Sequence, residues 1–157
     1  MEAEADWTNL CTPETYLGYG RSAQFSSPDG VAFDERRAYE LPECLPANHW
    51  ALAGEWTIGP EHVTLDQAGG SIAYRFHARD ANVVLSPGER EPISFRVHLD
   101  GETPGLSAGV DVNEDGTGVL RDGRLYQLIR QHDGVHDRTV EITFGEPGAA
   151  AYAFTFG

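Results

Sequence analysis

Ser71-Ile-Ala-Tyr-Arg-Phe-His-Ala78 alternates without a break: Ile72, Tyr74, Phe76 and Ala78 fall on one face, and Ser71, Ala73, Arg75 and His77 on the other. Successive side chains of an extended backbone point to opposite faces, so this pattern marks a half-buried β-strand rather than an amphipathic helix. Ile93 to Leu99 repeats it, with Ile93, Phe95, Val97 and Leu99 opposed to Ser94, Arg96 and His98; Arg138 to Phe144 and Ala151 to Phe156 repeat it again. Weaker extended segments are expected at Thr12 to Tyr19, Ala38 to Leu41, His49 to Ile58, His62 to Leu65, Ala81 to Leu85 and Arg124 to Gln131. Gly, Pro, Asp and Asn clusters separate them, the densest turn chemistry making Ser22 to Glu35 and Asp100 to Gly123 read as long loops, and no long stretch carries an apolar period of about 3.6 residues. Short strands in this number cannot all bury an apolar face in one open sheet. The expected fold is therefore all-β, a two-sheet antiparallel β-sandwich of jelly-roll type.

Composition sets the outer bounds. A chain of 157 residues is one domain in size and buries enough surface to fold without a metal or a disulfide framework. Twenty-five acidic residues against 11 basic ones give a net charge of −14, which repels nucleic acid and anionic membrane surfaces. All 11 basic residues are arginine, a bias given no functional weight. No apolar run approaches the roughly 18 residues of a membrane span, and the segment from Met1 to Asn9 is acidic, unlike an export signal. Residues 1–11, with Trp7 among them, are expected to form a solvated tail, and residues 12–157 one domain. Cys11 and Cys44 are too far apart in sequence for a C-x-x-C redox centre; they read either as one structural disulfide or as two inert thiols.

Four groups of residues are candidates for function. Asp111, Asn113, Asp115 and Thr117 have the alternating oxygen spacing of a calcium loop tightened by Gly116, although the position that should close the loop with Glu holds the shorter Asp122. The same Asp-Gly chemistry also makes ordinary hairpin turns, and both readings stand. Arg75, His77, Arg96 and His98 lie on the polar faces of the two strongest strands. If those strands share a sheet, the four residues gather positive charge in an acidic protein and suit hydrogen bonding to sugar hydroxyls or carboxylates. The plainer alternative pairs them with Glu141 or other acids across strands. Trp50, Leu52 and Trp56 share a parity that points to the core, an exposed aromatic sugar platform being the alternative. His132 and His136 are split by Asp133-Gly134 and read as loop residues. No nucleophile elbow, phosphate loop or cupin metal motif is present, and no carboxylate pair stands out among 25 acids as a glycosidase centre.

Several segments carry a family resemblance: Thr12-Pro-Glu-Thr-Tyr-Leu-Gly-Tyr19 with Arg21, Asn48-His-Trp-Ala-Leu-Ala-Gly-Glu-Trp56, Phe76-His-Ala-Arg-Asp80, Leu125-Tyr-Gln-Leu-Ile-Arg-Gln131, and the closing Tyr152-Ala-Phe-Thr-Phe-Gly157. Together they resemble the C-terminal module of the DipZ-like family of thiol-disulfide proteins, in which a membrane electron-transfer domain and a thioredoxin-like domain precede a module similar to jelly-roll carbohydrate-binding domains. The resemblance implies an extracytoplasmic, cell-envelope location and a carbohydrate ligand. It implies no enzyme activity for this chain, because the C-x-x-C pair that performs the family's redox chemistry is absent. A structural module packed on a thioredoxin-like domain is the second reading, and an enzyme acting on carbohydrate the third. Tyr19, Arg21, Tyr126 and Arg130, which lie in the quoted segments, are the reserve candidates for a ligand site. Calcium is the one cofactor considered.

Overall fold

The computed structural model describes residues 11–157, so the expected tail up to Leu10, with Trp7, lies outside the described residues. Eleven strands follow in order: β1 (Thr15–Tyr16), β2 (Arg36–Tyr39), β3 (Trp50–Ile58), β4 (Val63–Leu65), β5 (Ser71–His77), β6 (Asp80–Ser86), β7 (Ile93–Leu99), β8 (Thr117–Leu120), β9 (Arg124–Arg130), β10 (Asp137–Phe144) and β11 (Ala150–Phe156). The only helical element among the described residues is a 3-10 turn at Gly105–Ser107.

Every strand ladder is antiparallel, and the ladders form one continuous path, β8-β7-β10-β5-β3-β4-β11-β6-β9, with β1 added to β11 and β2 to β3. The chain is thus a single antiparallel sheet curled into a half-barrel, and the pairing does not separate into the two independent sheets of the expected jelly-roll sandwich. The reason lies in β3. Its first half, Trp50 to Ala53, pairs with β5, whereas Trp56 to Ile58 pairs with β4, so a single strand belongs to both halves of the curl. The changeover falls at Gly54, whose φ of +96° lies in the region that side chains disfavour. A Cβ there would come within 2.8 Å of Gly70 Cα, and one on Gly70 within 2.3 Å of Leu65 Cδ1. The Trp56 indole N–H closes the corner by donating to Ala53 O at 2.9 Å.

The alternation read from sequence places the core. Ile72, Tyr74 and Phe76 of β5 and Ile93, Phe95, Val97 and Leu99 of β7 are buried, together with Val140, Ile142 and Phe144 of β10. Trp50 and Trp56 are also buried, which removes both from any sugar platform. Tyr74 is held between Phe154 and Phe156, and its phenol hydrogen-bonds the Thr15 hydroxyl of β1. Burial pushes that phenol's pKa up, the Thr15 contact opposing the shift.

Ten of the eleven strands fall where the sequence places them, with shifted ends. The extended stretch expected over residues 12–19 shrinks to the two residues of β1. The missed strand is β8, inside the stretch from Asp100 to Gly123 that reads as one long loop. Its four residues, Thr-Gly-Val-Leu, offer too short an alternation to stand out from the surrounding Asp and Gly. Because Gly54 combines positive φ with close backbone contact, Gly54→Ala is expected to cost about 1–3 kcal/mol while leaving one cooperative transition. Urea unfolding of the two proteins checks this, and an unchanged midpoint would show that the corner carries no strain.

Candidate functional site

β5, β10 and β7 lie side by side in that order, so Arg75, His77, Arg96 and His98 do share one outer face. They are not adjacent, because β10 runs between them: Thr139 stands opposite Arg75 and Asp137 opposite His77, while Glu141 faces His98 and Thr143 faces Arg96. The expected four-residue basic patch is therefore split in two. Both β5 members are taken up structurally. His77 Nδ1 is 2.6 Å from Asp137 Oδ1, and Arg75 lies 3.6 Å from the other oxygen while donating to Leu45 O at 3.2 Å. The cross-strand pairing with acids, held open in the sequence, is what happens on this side.

On the β7 side the face opens into a groove of about 700 Å³, within the range of small-ligand sites. Arg96 and His98 line it together with Asn113, Thr117, Thr143 and the edge of Phe144. Two groups that the sequence keeps apart, the basic strand residues and the Asp-rich loop, thus meet across β7. The meeting depends on β8: Thr117 pairs with Arg96 and Gly118 with Phe95, which brings the preceding turn to the groove's rim. Gly118 must be Gly, since a Cβ would stand 2.3 Å from the Phe95 ring.

The loop itself is a hydrogen-bonded turn. Asp115 Oδ1 accepts from the Thr117 hydroxyl at 2.7 Å and from its N–H at 3.0 Å; the hydroxyl contact leads in lowering the Asp115 pKa, and the Arg96 charge adds to it. Asn113 Nδ2 donates to Thr117 O and Oγ1. Asp111 turns away from the others: one oxygen accepts from Arg124 at 2.9 Å and the other from the Gln127 N–H at 2.8 Å. A guanidinium thus stands where a calcium ligand set needs an unshared carboxylate. Among the described residues no cluster of three His, Cys, Asp or Glu could hold a metal.

The reserve candidates lie elsewhere. Tyr126 is buried, which corrects its place among ligand-contacting residues: its hydroxyl donates to Asp122 O at 2.7 Å and accepts from the Arg121 and Asp122 N–H groups, tying off the β8–β9 turn. Arg124 packs 3.8 Å over its ring. Arg130 is exposed near Asp80, 3.8 Å away, on the far arm of the sheet. Arg21 lies 3.9 Å over the Tyr16 ring, and Tyr19 donates to Asp34 at 2.7 Å while packing on Phe33. Cys11 and Cys44 are both exposed and unpaired. His132 and His136 are loop residues as expected: His132 contacts the Ser107 hydroxyl and His136 Nε2 donates to Asp133 O.

Millimolar calcium is expected to leave the melting temperature unchanged. Asp111→Ala should cost about 1–3 kcal/mol by stranding the Gln127 N–H. Calorimetry with calcium and with EDTA checks both, and a calcium-dependent rise lost in Asp115→Ala would restore the cation reading.

Curated relatives match part of the chain. Protein DipZ of Mycobacterium bovis (strain ATCC BAA-935 / AF2122/97) and Protein DipZ of Mycobacterium tuberculosis (strain CDC 1551 / Oshkosh) are each 36% identical to it over 75 residues, covering 47% of this chain and 10% of theirs. The chain therefore corresponds to a small part of the length of these relatives. Residues 12–157 match a family described as "Thioredoxin like C-terminal domain". With all but the first residues of the chain inside that match, the protein belongs to the thioredoxin-like C-terminal domain family.

Proposed function

We propose that this chain is a non-catalytic accessory module of a cell-envelope thiol-disulfide protein, and that it binds a glycan in the groove over β7, β8 and β10. The groove supports this reading: its volume of about 700 Å³ suits a small ligand, and hydroxyl, amide, imidazole and guanidinium groups line it together with Phe95 and Phe144. The module role rests on family membership and on the likeness to the DipZ proteins. The extracytoplasmic location rests on the same likeness; among the described residues no helix is long and apolar enough to cross a membrane. Cys11 and Cys44, distant in sequence and lacking the C-x-x-C spacing, give this chain no redox centre of its own, so thiol chemistry belongs to a partner domain. Thr143→Trp fills the groove from a solvent-facing β10 position. It is expected to abolish glycan-array binding with little change in melting temperature, and an array blank for the parent protein would overturn glycan binding.

A second reading, a module that packs on a thioredoxin-like domain, has one specific observation behind it. Phe33 is 60% exposed and lies on Tyr19, with ring centroids 4.5 Å apart, at the mouth of an apolar pocket of about 250 Å³ that reaches Leu17, Phe25 and Trp50. A large aromatic so exposed, bridged through its backbone to Ile58 at the end of β3, is a natural contact for a neighbouring domain. Fused to a thioredoxin-like domain of a mycobacterial relative, the module should show slowed amide exchange around Phe33, and Phe33→Asp should remove that protection. Equal exchange in the fused and isolated module would exclude this surface.

A further inference from the structure

Among the described residues four arginines, Arg21, Arg37, Arg96 and Arg121, form no ion pair, and of these Arg96 lines the groove over β7. The other seven meet a carboxylate: Arg36 meets Glu55, Arg75 Asp137, Arg79 and Arg130 Asp80, Arg90 Glu146, Arg124 Asp111 and Arg138 Asp100. Arg96 has no ion pair and no side-chain hydrogen bond among the described residues, although the chain holds 25 carboxylates. Asp115 feels its charge but spends Oδ1 on Thr117. Glu141, across the ladder from His98, accepts from the Ser71 hydroxyl. No carboxylate lines the groove that Arg96 occupies. A concavity in an acidic surface whose lining includes a guanidinium without an ion pair and no carboxylate suits an anion.

The groups around Arg96 narrow the class. Ser94 and Thr143 present hydroxyls and His98 an imidazole suited to the hydroxyls of a polyol, while Thr117 and Asn113, bonded within the turn, shape the wall beside them. A guanidinium fork matches a planar carboxylate bidentately. From these we infer that the groove selects carboxylate-bearing saccharides, uronic acid polymers being the simplest example, and that Arg96 is the residue that reads the carboxylate. This inference rests on glycan binding at the groove and adds the charge of the ligand. Arg75 takes no part, because Asp137 and Leu45 hold it.

Calorimetric titration of the whole chain with α-1,4-linked tetragalacturonate and with its fully methyl-esterified counterpart tests the inference, since the ester keeps the sugar backbone and replaces each carboxylate by a neutral group. The acid is expected to bind at least about tenfold more tightly at low salt and to lose that margin as salt rises through the Debye regime. Arg96→Met should erase the difference between the ligands, Arg96→Lys should restore part of it, and Arg130→Met, an equal change in net charge remote from the groove, should leave it intact. Circular dichroism and melting of each variant guard against loss of fold at exposed Arg96. Equal affinity for acid and ester overturns the inference while glycan binding stands, and binding of neither overturns both. Tetraglutamate binding as tight as tetragalacturonate would overturn the saccharide assignment and leave an acidic peptide as the ligand.

Discussion

The structure depends on the passage of β3 through its corner at Gly54. Because Trp50 to Ala53 is laddered to β5 and Trp56 to Ile58 to β4, a single strand holds the β8-β7-β10-β5 arm and the β4-β11-β6-β9 arm in one sheet. The turn must be made where backbone meets backbone, between Gly54 and Gly70, and this leaves no room for a side chain. Both buried tryptophans flank it, so a close backbone contact and the largest side chains of the core are neighbours.

That corner also sets the chemistry of the outer face. With one edge of β5 taken by β3, β10 occupies the other and β7 follows, so Arg75 and His77 are parted from Arg96 and His98 by a strand that carries Asp137 and Glu141. The acid on β10 neutralises the β5 pair and leaves the β7 pair free. β8 then delivers the Asp-rich turn to the free side, where its oxygens bond to its own backbone and hydroxyls. A basic patch and a calcium loop, two separate readings of the sequence, become two walls of one groove.

Tyr126 shows the limits of a reading made from residue type. It belongs to a segment shared with the resembled family and has the chemistry of a ligand contact. In the fold its ring is in the core and its hydroxyl serves the β8–β9 turn, with Arg124 over the ring and Asp111 beyond it. Its inward parity on β9 was legible, since Tyr126 and Leu128 alternate with Gln127.

The sequence by itself determined ten of the eleven strands, their inward faces and the absence of a redox motif, because these follow from period-two alternation, turn chemistry and cysteine spacing, all local properties of the chain. It also determined that Trp50 and Trp56 would be core residues, through the parity they share with Leu52. Only the tertiary structure decided which strand neighbours which, and with that which arginines meet a carboxylate. An ion pair depends on distance across a ladder, and no pattern along the chain encodes that β10 lies between β5 and β7. The strand β8 was hidden for a related reason: Thr117 to Leu120 has little alternation of its own and is held as a strand by pairing with Ile93 to Arg96. The continuous curl likewise came from tertiary contact, since the close approach of Gly54 to Gly70 joins residues whose packing no local propensity specifies.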